Sequence, residues 1–351
     1  MALRETKTRG ITLKGWALSA LLSILPVGAA AQQPGTWASG GRYDNGYFAA
    51  VGTSYGGVGP VVEVHQAAGG AGPLWYRVGI PGKSPDYAVS WRGSKEYDTG
   101  SNPDVAVHNK TVVEVHQGKS GKLWYHVGHL NATDTDVAWD RGVEYDNGYF
   151  PRVAMIHRGG LGETVVVAVH QATMSDNSPL LYRVGRVVGS SIGWSQTLEY
   201  GRGANPHVVL IYNKGFIFAV EVHENGSGVL ESQVGRMEGL TRFEWGPPIP
   251  YDNGYFPSIS AGPTWLLEVH EGLDAGTLAY RVGSVDLGLL EEYRIDWGDA
   301  SSDHFDNGWF PSVTATHDGT HSCFVAYEAH QASILTDASP LWASVWHYCK
   351  P

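Results

Sequence analysis

The sequence predicts an all-β fold, a six-bladed β-propeller of four-stranded antiparallel blades. Three observations predict it. A unit marked by an aromatic residue at positions 43, 97, 145, 200, 251 and 305 recurs at intervals of 54, 48, 55, 51 and 54 residues. Within each unit, short apolar runs of period-2 character alternate with Gly, Asn and Asp turns. No long segment carries a 3.6-residue period, so little helix is expected.

Each unit opens on Tyr-Asp-Asn-Gly or a variant of it, as at Tyr43–Gly46 and Tyr145–Gly148, with Gly201 replacing the Asp in the fourth copy. Asn-Gly and Asp-x-Gly favour turns, and the Asp carboxylate can cap its own loop. One carboxylate per loop is far short of a calcium site. A short apolar strand follows, such as "VAMI" at 153–156. The second strand reads "VVEVHQ" at 61–66 and 112–117, "VVAVHQ" at 166–171, "AVEVHE" at 219–224, "LLEVHE" at 266–271 and "AYEAHQ" at 326–331. The third strand is of the "LWYRVG" type (74–79), and a fourth ends on Trp91, Trp139, Trp194, Trp245 or Trp297. The sixth copy has no such closing Trp, but Trp37 stands six residues before Tyr43, as Trp91 does before Tyr97. The N-terminal strand around Trp37 is therefore expected to complete the last blade and close the ring, hiding both free edges.

Residues 1–31 read as a cleaved signal peptide: Arg4, Lys7, Arg9 and Lys14, then the apolar "GWALSALLSILPVG", then Ala29–Ala31. Residues 32–351 are expected to be one propeller domain, secreted or periplasmic, with no stable membrane span after cleavage. The net charge is −11 for the whole chain and −14 without residues 1–31. No cluster of Lys or Arg tracks a phosphate backbone, which argues against nucleic acid as a partner. Cys323 and Cys349, the two cysteines, are expected to form a disulfide in an exported chain.

No catalytic residue, metal site or cofactor is expected, because no zinc, phosphate-loop or dinucleotide motif is present. Gly52-Thr-Ser54-Tyr-Gly56 matches G-x-S-x-G but leads into a strand, not the helix which that motif requires. The Glu-x-His pairs carry more information. Residues i and i+2 share a strand face, so Glu63 and His65 point the same way, and Arg77 on the next strand can join them. The His slot is constant: His65, His116, His170, His223, His270 and His330. The Glu slot has one exception, Ala168, and the Arg slot runs Arg77, His126, Arg183, Gln233, Arg281, Ser344. Arg183 thus lacks its Glu and Glu328 lacks its Arg, a loss that a required buried ion pair does not tolerate. The histidines are therefore expected to hold the blades together or line a site, and the Glu and Arg slots to be reachable by water and ligand.

The order "NPxVA", "VVEVHQ", "LWYRVG", "I-x-W" resembles the repeats of bacterial and fungal β-propeller lectins of the fucose-binding and tectonin-like types, over Trp37 to about Trp346. That resemblance implies a non-enzymatic, multivalent carbohydrate-binding protein with glycans or glycoconjugates as partners. It implies sites between blades made of an Arg, a Glu and an aromatic platform. By residue type these are Glu63, Arg77, Trp91, Glu114, Arg183, Glu268, Arg281 and Glu328. A protein-interaction scaffold, or a hydrolase or lyase at the channel mouth, are the alternatives.

Overall fold

The "VVEVHQ" segments alternate β-branched residues with Glu and His, and in each copy they form a strand with both faces buried. In the first copy, Val62 and Val64 pack into a cluster with Val105, Val107 and Val112 of the second. Val61, on the other face, joins a cluster with Val325, Tyr327 and Ala329 of the sixth. Adjacent copies thus stack sheet on sheet, and the buried apolar area between them drives the packing. The computed structural model describes residues 35–158, 162–262, 265–287, 293–298, 303–334 and 339–349. The expected signal peptide lies outside the described residues.

The described residues are all-β, with one 3-10 turn at Lys119–Gly121. No helix among them is long and apolar enough to cross a membrane. In the first copy, Tyr47–Thr53 pairs antiparallel with Val61–Gln66, which pairs with Gly72–Pro81. The outer edge of that third strand carries Val89–Trp91 and then the beginning of Lys95–His108. The same order recurs in later copies, for example Tyr149–Arg158, Glu163–Gln171, Ser178–Val188 and Ser191–Trp194.

Two sequence expectations are refined. The closing strand does not end on its Trp: it breaks for a few residues and resumes through the Tyr-Asp-Asn segment, as in Val137–Trp139 and Val143–Asn147. The Tyr-Asp-Asn residues are therefore strand, not loop, and their Asp caps the following backbone N–H, as Asp44 Oδ1 does for Asn45 at 2.8 Å. Among the described residues, sheets of four, nine, nine and five strands are found in place of separate four-stranded blades. The cause is that Lys95–His108 and Leu198–Asn213 run unbroken from the outer edge of one copy into the inner edge of the next.

The N-terminal strand Thr36–Asn45 pairs antiparallel with the C-terminal strand Pro340–Cys349, setting Trp37 opposite Trp346. Cys323 and Cys349 are cross-strand neighbours and form a disulfide spanning 26 residues. Closing a loop of that length stabilises the fold by roughly 3–4 kcal/mol. Replacing both cysteines with serine is expected to lower the unfolding free energy from urea denaturation by an amount in that range, with a larger m-value because the unfolded chain is no longer crosslinked. An unchanged free energy would show that the C-terminal strand is held without the crosslink.

Candidate functional site

The seams between copies concentrate the buried polar chemistry. Tyr43, on the N-terminal strand, donates its hydroxyl to Glu63 Oε1 at 3.1 Å, and the Glu63 oxygens accept from His65 Nδ1 at 3.0 and 3.2 Å. The same chain is built by Tyr97, Glu114 and His116, and by Tyr200, Glu221 and His223. A carboxylate facing Nδ1 fixes the proton there and leaves Nε2 as the lone-pair nitrogen of the neutral ring. Burial works against protonating His65, His116, His223, His270 and His330, but the partner Glu outweighs it and their pKa values rise.

Around this chain the aromatic residue that opens each repeat stacks on the Trp that closes it. Tyr43 on Trp91, Tyr97 on Trp139, Tyr145 on Trp194, Tyr200 on Trp245, Tyr251 on Trp297 and Phe305 on Trp37 have ring centroids 4.0 to 5.2 Å apart. Two glycine slots allow the approach. A Cβ on Gly46 would stand 2.5 Å from the His65 ring, and a Cβ on Gly79 would stand 2.8 Å from the Trp91 ring.

The Glu carboxylates are not where the sequence places them. Glu63, Glu114, Glu268 and Glu328 have no exposed surface, so the expectation that they reach water and a ligand is corrected. Arg77 and Arg281 are also buried, and Arg183 is partly so. The reason is a partner the sequence comparison did not consider. The Arg slot reaches across the seam to the Asp of Tyr-Asp-Asn-Gly: Arg77 to Asp44, Arg281 to Asp252, and His126 to Asp98 at 2.7 Å. Arg183 lies 3.8 Å from Asp146 and donates to the Ser195 carbonyl at 2.8 Å, so it does not need a Glu. Where Gly201 removes the Asp, Gln233 replaces the Arg and donates to Glu221 at 3.0 Å. Ser344 donates to Asp306 at 3.3 Å.

The exceptions confirm the wiring. Ala168 removes the acceptor that this hydroxyl and this Nδ1 have in the Glu63 and Glu114 copies, and Tyr145 Oη and His170 Nδ1 stand without a hydrogen bond. Burial then dominates, and the His170 pKa falls to about 4. Phe305 offers Glu328 no hydroxyl, and burial raises that carboxyl even though His330 pulls it back. Trp91, the expected platform, already has Tyr43 against one face.

A second device escaped the sequence reading. The last residue of each "VVEVHQ" accepts from a backbone N–H of the following copy: Gln66 from Asn102 (2.8 Å), Gln171 from Asn205 (2.9 Å), Glu224 from Phe256 (2.6 Å), Glu271 from Phe310 (2.6 Å) and Gln331 from Phe48 (3.1 Å). The five residues that donate these N–H groups all have positive φ between 48° and 52°, so the bond holds a backbone conformation that non-glycine residues rarely adopt. The signal was present as the constant Gln or Glu after His. Further in, a cavity of about 320 Å3 is lined by the first strands of all six copies. Polar residues at its wall bridge copies too: Asp104 accepts from Val153 N–H at 2.7 Å and Thr314 from Thr53 N–H at 3.1 Å. Burial raises Asp104 to about 6 and lowers His207 to about 3.

One seam opens into a groove of about 580 Å3 between the first and second copies. Its lining includes Arg77, Arg92, Lys95, Asn131, Thr135 and Asp136. Lys95 pairs with Asp136 at 2.6 Å, and Tyr76 donates to the same carboxylate at 2.7 Å. The groove offers guanidinium and ammonium donors beside amide, hydroxyl and carboxylate groups.

No family model matches the sequence, and comparison with curated proteins gives no match. Solved structures do share the fold. The chain is similar to a lectin of Aleuria aurantia solved in complex with Fucα1-6GlcNAc (TM-score 0.55, 8% identity, covering 86% of this chain and 93% of that one). It is also similar to AofleA of Arthrobotrys oligospora (TM-score 0.51, 11% identity, 90% of each chain). A third likeness is to the subtype N11 neuraminidase-like protein of a flat-faced bat virus (TM-score 0.52, 9% identity, 91% and 96%). At such identities the likeness shows a propeller-like fold and nothing finer.

Two predictions follow from the seam. Glu221→Ala leaves Tyr200, His223 and Gln233 without their acceptor, and is expected to cost roughly 3–5 kcal/mol by urea unfolding. A cost below about 1 kcal/mol would mean that the chain of bonds is dispensable.

The second concerns pH. Burial, opposed by the Phe310 N–H and reinforced by Glu224, raises Glu271 from 4.5 to about 7. The folded state then binds this proton more tightly than the unfolded one. The associated stability is complete below pH 4.5 and is lost as pH rises through about 7. Glu271→Gln keeps the acceptor without the charge. The variant is expected to match the wild type near pH 5 and to exceed it by up to roughly 3 kcal/mol near pH 8. A difference independent of pH contradicts the assignment.

Proposed function

We propose that this chain is a secreted, non-enzymatic carbohydrate-binding protein, a single six-bladed ring that takes glycans in grooves between blades. Ring closure is supported by the pairing of Thr36–Asn45 with Pro340–Cys349 and by the core cluster shared between the first and sixth copies. Export is supported by the basic and apolar order of residues 1–31 and by the disulfide. The Aleuria aurantia lectin, solved with Fucα1-6GlcNAc, supports sugar binding on this fold.

The observation that carries the reading is the groove lined by Arg77, Arg92, Lys95, Asn131, Thr135 and Asp136. Planar guanidinium and carboxylate groups bind vicinal hydroxyls through charge-assisted bonds, while Asn and Thr both donate and accept. Arg92 and Lys95 are exposed, and the exposed Lys95–Asp136 pair contributes little to stability, so both are available to a ligand. The buried Glu–Tyr–His chains act behind such grooves, holding their walls at fixed separation. If several grooves engage one surface, weak individual sites add up through avidity.

A glycan array with the mature chain is the deciding experiment, and retention of a defined set of sugars is expected. The Arg92→Ala, Lys95→Ala double variant is expected to lower that signal at least about tenfold, the loss of roughly 1.4 kcal/mol, with an unchanged melting temperature. An array with no bound sugar, together with no thermal shift from monosaccharides, overturns the proposal.

A further inference from the structure

The second copy breaks the seam pattern in one chemically distinctive way. Where other copies place Arg, Gln or Ser, it places His126, and this ring meets His116 and Asp98. The three donor atoms, His116 Nε2, His126 Nε2 and an Asp98 carboxylate oxygen, all lie within 4.8 Å of one another. His126 Nε2 is 2.7 Å and His116 Nε2 is 3.9 Å from Asp98 Oδ2. Tetrahedral zinc with bonds of 2.0–2.1 Å separates its donors by about 3.3 Å, between these two values.

The hydrogen bonds behind the donors set the required tautomers. His116 Nδ1 faces both oxygens of Glu114 at 3.1 Å, and His126 Nδ1 faces the Asp140 carbonyl at 2.8 Å. Both partners are acceptors, so both Nδ1 atoms carry the proton and both Nε2 lone pairs point toward Asp98. His126 thus has an acceptor against each ring nitrogen. Its Nε2 lone pair faces a carboxylate oxygen, an arrangement that a cation bound by both atoms satisfies. Metal-ligating histidines commonly donate their other N–H to a carboxylate or a backbone carbonyl, and both arrangements occur here.

A Cβ on Gly142 would stand 2.9 Å from His126 Nε2 and 3.1 Å from Asp98 Oδ2, so the absence of a side chain keeps the donors clear. The histidines are buried while Asp98 is a third exposed, so the cluster is reachable from solvent through the carboxylate. Two imidazoles and one carboxylate suit zinc better than the hard cations that prefer all-oxygen shells.

We propose that Asp98, His116 and His126 form a Zn2+ site at the seam between the first and second copies. The ion takes the bridging role that Arg77 and Arg281 fill at their own seams. The site is independent of the glycan reading, and its test uses no sugar.

The full mature chain, stripped by chelator and kept free of thiols, is titrated with Zn2+ by calorimetry. One equivalent is expected to bind with micromolar or tighter affinity and to raise the melting temperature. His126→Arg installs the side chain used at equivalent seams and is expected to fold normally and lose that equivalent. Asp98→Asn, at a partly exposed position, is expected to weaken binding at least about tenfold and serves if His126→Arg does not fold. The proposal is overturned if the wild type binds no Zn2+, or if both variants bind it as the wild type does.

Discussion

The structure depends on how each seam satisfies a carboxylate that has no contact with water. Burying Glu63 or Glu221 alone is prohibitive, since an uncompensated charge costs several kcal/mol. The fold meets this by bringing a phenol from the edge of the preceding sheet and an imidazole from the same strand onto one carboxylate. The requirement propagates outward. The Tyr must lie flat on the next Trp, the His ring must pass close over a glycine, and the strand beyond Trp must resume to carry the Tyr-Asp-Asn segment. Much of the recurring motif is therefore the footprint of one hydrogen-bonded chain.

Such a network selects one packing over others, because a slipped sheet leaves several buried groups without partners at once. The inner bonds from Gln or Glu to the next copy's backbone add a second constraint at a different depth. Together they hold adjacent sheets at one spacing, and grooves at the outer ends of the seams inherit it. A recognition site built from side chains of two copies needs that rigidity more than it needs buried reactive groups. The pattern also explains why the copies diverge where they do. Substitutions come in compensated sets, such as Gly201 with Gln233, or His126 opposite Asp98.

The strands, their order and the N-terminal strand's pairing with the last copy were legible from period-2 alternation and the spacing of Trp before Tyr. The histidines' place in the buried framework was legible too, because their slot never varies. The Glu and Arg slots were misread because variation was taken for exposure. Arg183 without a Glu looked like an orphaned charge only while Glu was its assumed partner. The true partner, Asp146, opens the same repeat but is carried on the edge of the preceding sheet, and residue type alone does not show which carboxylate an Arg will face.

The sequence by itself determined an all-β repeat, because alternation, turn residues and fixed spacing are local properties of a chain. It also determined which positions within the unit are interchangeable. Only the tertiary structure decided which side chains share a seam, since that depends on sheets from adjacent copies meeting face to face. Glu63 turned from a ligand-facing acid into a buried acceptor for that reason, and His126 from a substitute for Arg into one donor of a three-residue cluster. Both outcomes depend on distances of a few ångströms between residues tens of positions apart, which no local pattern encodes.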